Sequence, residues 1–133
     1  MHFHDAHAPY LIAVTEALTA AGLRVQEWSA EEDDPRTGII LIAFGTPSYR
    51  GQDTALTWDE ESGWHLVWGP DGHDTGYRYT APLGAGVLPT PANITSAVQH
   101  AADRRPPIAV SSLYRAFEDM DDGFETELRA YAR

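Results

Sequence analysis

The sequence predicts an α+β domain in which an antiparallel sheet of four to five strands is flanked by an N-terminal helix and a helix after the sheet, with an extra C-terminal helix. Three observations predict it. Apolar residues recur at helical spacing near Leu11–Leu18, Ile94–Ala101 and Leu113–Tyr131, each beside a proline or glycine. Between 23 and 81, short β-branched and aromatic runs alternate with turns rich in Gly, Pro and Asp. The connections between those runs are too short for parallel crossovers.

The first helix is expected from Pro9 to Ala21, because Leu11, Val14, Leu18 and Ala21 share one face. Pro9 suits a first helical turn and Gly22 a left-handed stop. Leu23 to Trp28 reads as a strand with imperfect alternation, and the acidic run Glu31–Asp34 before Pro35 as a solvated loop. Gly38 to Phe44 is apolar on both alternating faces, which predicts an interior strand covered on both sides. Ala55–Asp59 and Trp64–Trp68, joined through Gly63, form a predicted β-hairpin. Setting Asp59 against Gly63 places Trp58 opposite Trp64 and Leu56 opposite Leu66, so three of the four tryptophans, Trp58, Trp64 and Trp68, share one surface. Tyr77, Tyr79 and Ala81 alternate in a last strand. Thr90 and Pro91 open the second helix, 91–104, and Arg104 and Arg105 close it against the helix dipole before Pro106-Pro107. Leu113, Phe117, Met120, Phe124, Leu128 and Tyr131 make one helical stripe from Ser112 to about Ala130, with Gly123 as a point of interruption. The expected organisation is a flexible His-bearing tail at 1–8, a single domain at 9–105 and a helical extension at 106–133.

The chain has 133 residues, 43% of them hydrophobic, no cysteine, and nine basic against twenty acidic side chains for a net charge of −11. Thiolate and disulfide chemistry are excluded, and a charge of that sign disfavours nucleic acid and anionic membranes as direct partners. No apolar run reaches the length of a membrane span, and the expected location is the cytoplasm. All nine basic residues are Arg. Arginine offers a planar fork of donors and stacks on rings, and Arg36 and Arg78 are the candidates for such use.

No motif fixes a reaction. HFHDAH, with His2, His4, Asp5 and His7, holds metal-ligating groups but precedes the first helix with nothing to rigidify it, so it reads as a tail and no metal or other cofactor is expected. Asp119–Gly123 misses the calcium-loop spacing, its glycine arriving one place early. No serine stands in a G-x-S-x-G elbow, and His65 and His100 remain lone histidines on regular elements. The carboxylates Asp59, Glu60 and Glu61 sit at a hairpin tip, where water is expected to leave their acidity untuned. The tryptophan face has two readings, a core beneath the helices or an exposed binding surface.

Ala20-Ala21-Gly22, Asp34–Ile39 (DPRTGI), Thr57–Trp64 (TWDEESGW) and Gly86–Pro91 (GVLPTP) together resemble an uncharacterised family of small actinobacterial proteins over about residues 9–104. That resemblance implies boundaries and no activity. The order helix, antiparallel strands, helix is also similar to secretion-chaperone-like domains, which dimerise and bind protein segments.

The resulting expectation is a non-catalytic protein-binding or regulatory module that self-associates as a homodimer, with an unidentified protein as partner. Its binding residues are expected among Trp58, Trp64, Trp68, Tyr77, Tyr79, Phe117, Phe124 and Leu128. The alternatives are a small-molecule or metal binding protein, a small hydrolase for which no residue is singled out, and an acidic mimic of nucleic acid built from Glu31–Asp34, Asp59–Glu61 and Glu118–Asp122.

Overall fold

A computed structural model of the chain describes residues 7–31, 35–109, 114–115 and 123–131. Helix α1 spans Ala8–Ala20, with Pro9 in its first turn and Tyr10, Leu11, Val14 and Leu18 buried. It ends as its glycine requires: Gly22 takes φ +88°, its N–H donates to Thr19 O, and the Leu23 N–H reaches back to Leu18 O.

Strands β1 (Arg24–Glu31), β2 (Thr37–Ala43), β3 (Asp53–Asp59), β4 (Gly63–Gly69) and β5 (Tyr79–Pro82) form one antiparallel sheet in sequence order. The hairpin register is the expected one, with Trp58 against Trp64, Leu56 against Leu66 and Asp59 against Gly63. The imperfect alternation of β1 is a bulge between Val25 and Glu27, which lets Val25 and Trp28 both turn toward the core. β5 starts two residues later than expected, because the chain after β4 first makes a one-turn helix, α2 (Gly72–Thr75).

Helix α3 spans Pro91–Asp103 and packs beside α1, its Ile94, Val98, Ala101 and Ala102 buried; the Thr90 hydroxyl accepts the Asn93 N–H as an N-cap. A short helix α4, Phe124–Ala130, starts directly after Gly123 and adds Phe124 and Leu128 to the same core. Leu113, Phe117 and Met120 of the expected stripe lie outside the described residues.

The tryptophan face is that core. Trp58, Trp64 and Trp68 are at most 2% exposed. Two of the three indoles have their N–H groups matched as burial demands: Trp58 Nε1 donates to Val87 O at 2.7 Å and Trp64 Nε1 to the Tyr10 hydroxyl at 3.1 Å, and Tyr10 donates in turn to Pro89 O at 2.6 Å. β2 is interior to the sheet, with Ile40 and Ile42 in the core, but Ile39 and Leu41 on its other face are only half-buried and not sealed. No helix among the described residues is long and apolar enough to cross a membrane.

Candidate functional site at the hairpin tip

The β3–β4 turn is held from within. Asp59 Oδ1 accepts the N–H groups of Glu61 at 2.9 Å and Ser62 at 2.7 Å, and Asp59 Oδ2 accepts the Ser62 hydroxyl. Gly63 sits at φ +76°, and a Cβ there would lie 2.4 Å from Gly86 O, so the loop over the hairpin requires glycine.

This turn points Glu60 inward. Expected in water, its side chain is instead buried, at 3% residue exposure, because cations converge on it from two distant parts of the chain. Arg36 grips it as a fork, Nε to Oε2 at 2.9 Å and Nη2 to Oε1 at 2.8 Å, while the Arg36 backbone N–H reaches Oε2 at 2.6 Å. Arg115 Nη1 donates both to Glu60 Oε1 at 3.1 Å and to Glu60 O at 3.2 Å. Arg36 Nη2 also donates to Glu125 at the start of α4. Burial alone would raise the Glu60 pKa, but the hydrogen bonds and charge of Arg36, with Arg115, hold it below the ordinary glutamate value. Burial likewise opposes the Arg36 charge, and Glu60 and Glu125 more than restore it.

Aromatic rings close the cluster. The Arg115 guanidinium lies 4.1 Å from the Phe124 ring centroid and that of Arg36 lies 5.8 Å away. Phe124 stacks on Trp58 at 6.3 Å, and Tyr131 meets Tyr10 edge-on at 4.9 Å. Near Trp58 lies His7, its ring centroid 5.9 Å away. His7 is not the end of a loose tail: it is 1% exposed, and its Nε2 donates to Thr37 O at 2.9 Å. Burial pushes its pKa down, which favours the neutral ring. His2, His4 and Asp5 lie outside the described residues, and among the described residues no three metal-ligating side chains gather.

Of the eight expected binding residues, the seven that are described do not form one surface. Trp58, Trp64, Phe124 and Leu128 belong to the core that Tyr10 also joins, and Trp68 lies at the other end of β4 with Tyr79 stacked on it at 5.7 Å. Tyr77 packs on the backbone of Gly72, where a Cβ would come within 2.5 Å of its ring. Phe117 lies outside the described residues. The two arginines singled out for their donor forks both use them or stack, Arg36 on Glu60 and Arg78 over the Tyr79 ring at 5.6 Å. His65 shares a hollow on the far face of the sheet with Thr57, Asp59 and Ser62, but the Ser62 hydroxyl is bound to Asp59 and no hydrogen bond joins it to His65. His100 is exposed on α3.

Residues 10–100 match the sequence pattern of a single family. The chain belongs to DUF6292, a family of unknown function. Comparison with curated proteins and with solved structures found no match. The DUF6292 match takes in Arg36, Trp58 and Glu60 and ends before Arg115, Phe124 and Glu125. Half of the ionic cluster is therefore supplied by the family domain and half by the segment that follows it. Glu60 and Arg115 went unrecognised because the two lie 55 residues apart and neither stands in a motif. The one available signal was Arg36, a fork donor beside the strand that pairs with β3.

Proposed function

We propose that this chain is a non-catalytic protein-binding and regulatory module whose DUF6292 domain grips a short helix-bearing segment at the β3–β4 tip, with its own C-terminal segment as the occupant. The observation that supports this reading is that Arg115 and Phe124, both beyond the family match, complete a receptor whose other walls, Glu60, Arg36 and Trp58, lie inside it. The recognition is of a known physical kind, an aromatic anchor in a pocket beside a fully desolvated charge pair. α4 has seven residues, well under the roughly 12–15 at which isolated helices become marginal, so docking supports its helicity.

A partner carrying an arginine and a phenylalanine in the same arrangement would compete for the tip and release the chain's own segment, which is the regulatory part of the reading. Exchange of that segment between two copies gives a two-fold homodimer with the same contacts. The acidic-mimic alternative loses support at the tip, since Asp59 and Glu60 spend their oxygens on inward hydrogen bonds.

The test uses the full chain carrying Phe124→Ser and a synthetic peptide of residues 110–133. The peptide is expected to raise the melting temperature of the variant saturably, as a ligand of the native state does. The same peptide with Arg115→Ala and Phe124→Ala is expected to leave it unchanged. Absence of a saturable rise, or an equal rise with both peptides, overturns the reading.

A further inference from the structure

Along one side of α3 runs an open groove of about 630 Å³, within the roughly 300–1,000 Å³ typical of small-molecule sites. Its floor is apolar, formed by Leu83, Ala97, Ala101 and Pro106, and its rim carries His100, Arg104 and Arg105. None of the described lining residues is a carboxylate, in a chain whose net charge is −11.

The arginines stand at the C-terminus of α3, where the simplest role would be to offset the helix dipole by capping carbonyls. That role is already filled. The turn at 46–49 delivers three hydroxyls to the last carbonyls: Tyr49 to Ala101 O at 2.6 Å, Thr46 to Ala102 O at 2.5 Å and Ser48 to Asp103 O at 3.0 Å. The Arg104 N–H covers His100 O. Arg104 is exposed and makes no ion pair among the described residues. Arg105 is fixed in place, its Nε donating to Ser48 O and its guanidinium 5.5 Å over the Tyr49 ring. A cationic rim with its helix end capped by other groups, above an apolar floor, has the complement of an anion with an apolar tail.

We propose that this groove binds a small molecule that joins a carboxylate to an apolar chain, the carboxylate at Arg104 and Arg105 and the chain along Ala97 and Leu83 toward Asn93. From Asn93 to Arg104 the helix rises roughly 16 Å, which sets the length of chain the floor accepts. The site is separate from the hairpin tip and does not depend on its occupant.

Sodium decanoate, kept below its micellar concentration, is the probe, titrated calorimetrically into the full chain. One saturable site is expected. Butanoate, which keeps the charge and loses the chain, and decan-1-ol, which keeps the chain and loses the charge, are each expected to bind about tenfold more weakly or worse. Arg104→Glu, on an exposed side chain, is expected to weaken decanoate by at least about tenfold with an unchanged circular dichroism spectrum. Ala97→Trp, which fills the floor, is expected to remove the binding heat. Absence of saturable heat, equal affinity for decanoate and decan-1-ol, or undiminished binding by the Arg104→Glu chain overturns the proposal.

Discussion

Arginine is used in opposite ways at the two ends of the sheet. At the β3–β4 tip, Arg36 and Arg115 are enclosed, share one carboxylate and lie against an aromatic ring, and with Phe124 they fasten a segment that is distant in sequence. Where α3 ends, hydroxyls do the capping and Arg104 projects into solvent beside an apolar groove. A desolvated charge is expensive unless matched, so the tip cluster stands or falls as a unit; a solvated one contributes little to the fold and stays available.

Substitutions at the two ends should therefore differ in size. The largest effect is expected for Glu60→Ala, which leaves two guanidiniums buried around an empty site and should cost about 3–5 kcal/mol in urea unfolding. Replacing the whole cluster with apolar residues, Arg36→Met, Glu60→Leu and Arg115→Met together, should recover most of that loss; a single Glu60→Ala loss under about 1 kcal/mol would mean the cluster is not a unit.

Acid should act on the same end, in two stages. His7 has a pKa held below its unfolded value of about 6.5, so the unfolded chain binds the extra proton and stability declines as pH falls below that value. Glu60 is also held low, so its contribution is complete above about 4.3, the ordinary glutamate value, and is lost as pH falls through its folded pKa. Melting temperatures from pH 8 to pH 3 check this, and a His7→Phe chain should lack the first decline. A profile flat down to pH 5 contradicts the placement of His7.

At the other end the effects are smaller. Tyr49→Phe removes the hydroxyl on Ala101 O and should cost about 1 kcal/mol, with faster hydrogen exchange confined to the last turn of α3. Arg104→Ala should change stability by no more than about 0.5 kcal/mol, and a larger loss would make it a structural residue, collapsing the contrast between the two ends.

The parts of the fold written in local pattern could be read directly. Alternation across Gly63 gave the Trp58–Trp64 register, and Pro9, Gly22, Thr90 and Pro91 marked helix ends, because caps and turns are short-range chemistry. The tip cluster could not be read so. Its contacts span 24, 55 and 89 residues, and a glutamate between two acidic neighbours at a turn carries no local sign that it will face inward. The hydroxyl caps on α3 were hidden for the same reason, Thr46 and Ala102 being 56 residues apart, and the adjacent arginines suggested a role that the turn at 46–49 had already taken.

The sheet's order also has a consequence in time. Each strand pairs with its predecessor, so the meander is complete once Pro82 has been made. Trp58, Trp64 and Trp68 are then aligned with α1 and, at Trp68, the rings of Tyr49 and Tyr79 to cover them, while Ile94 and Val98 of α3, and then Phe124 and Leu128, are still to come. At about 5–20 residues per second, the nascent chain takes roughly one to four seconds to pass from Pro82 to Asp103. During that interval three indoles stand partly bare on a formed sheet. Synthesis that stalls between β5 and α3 should leave a sticky intermediate, and aggregation on slow translation is a hazard fixed by strand order alone.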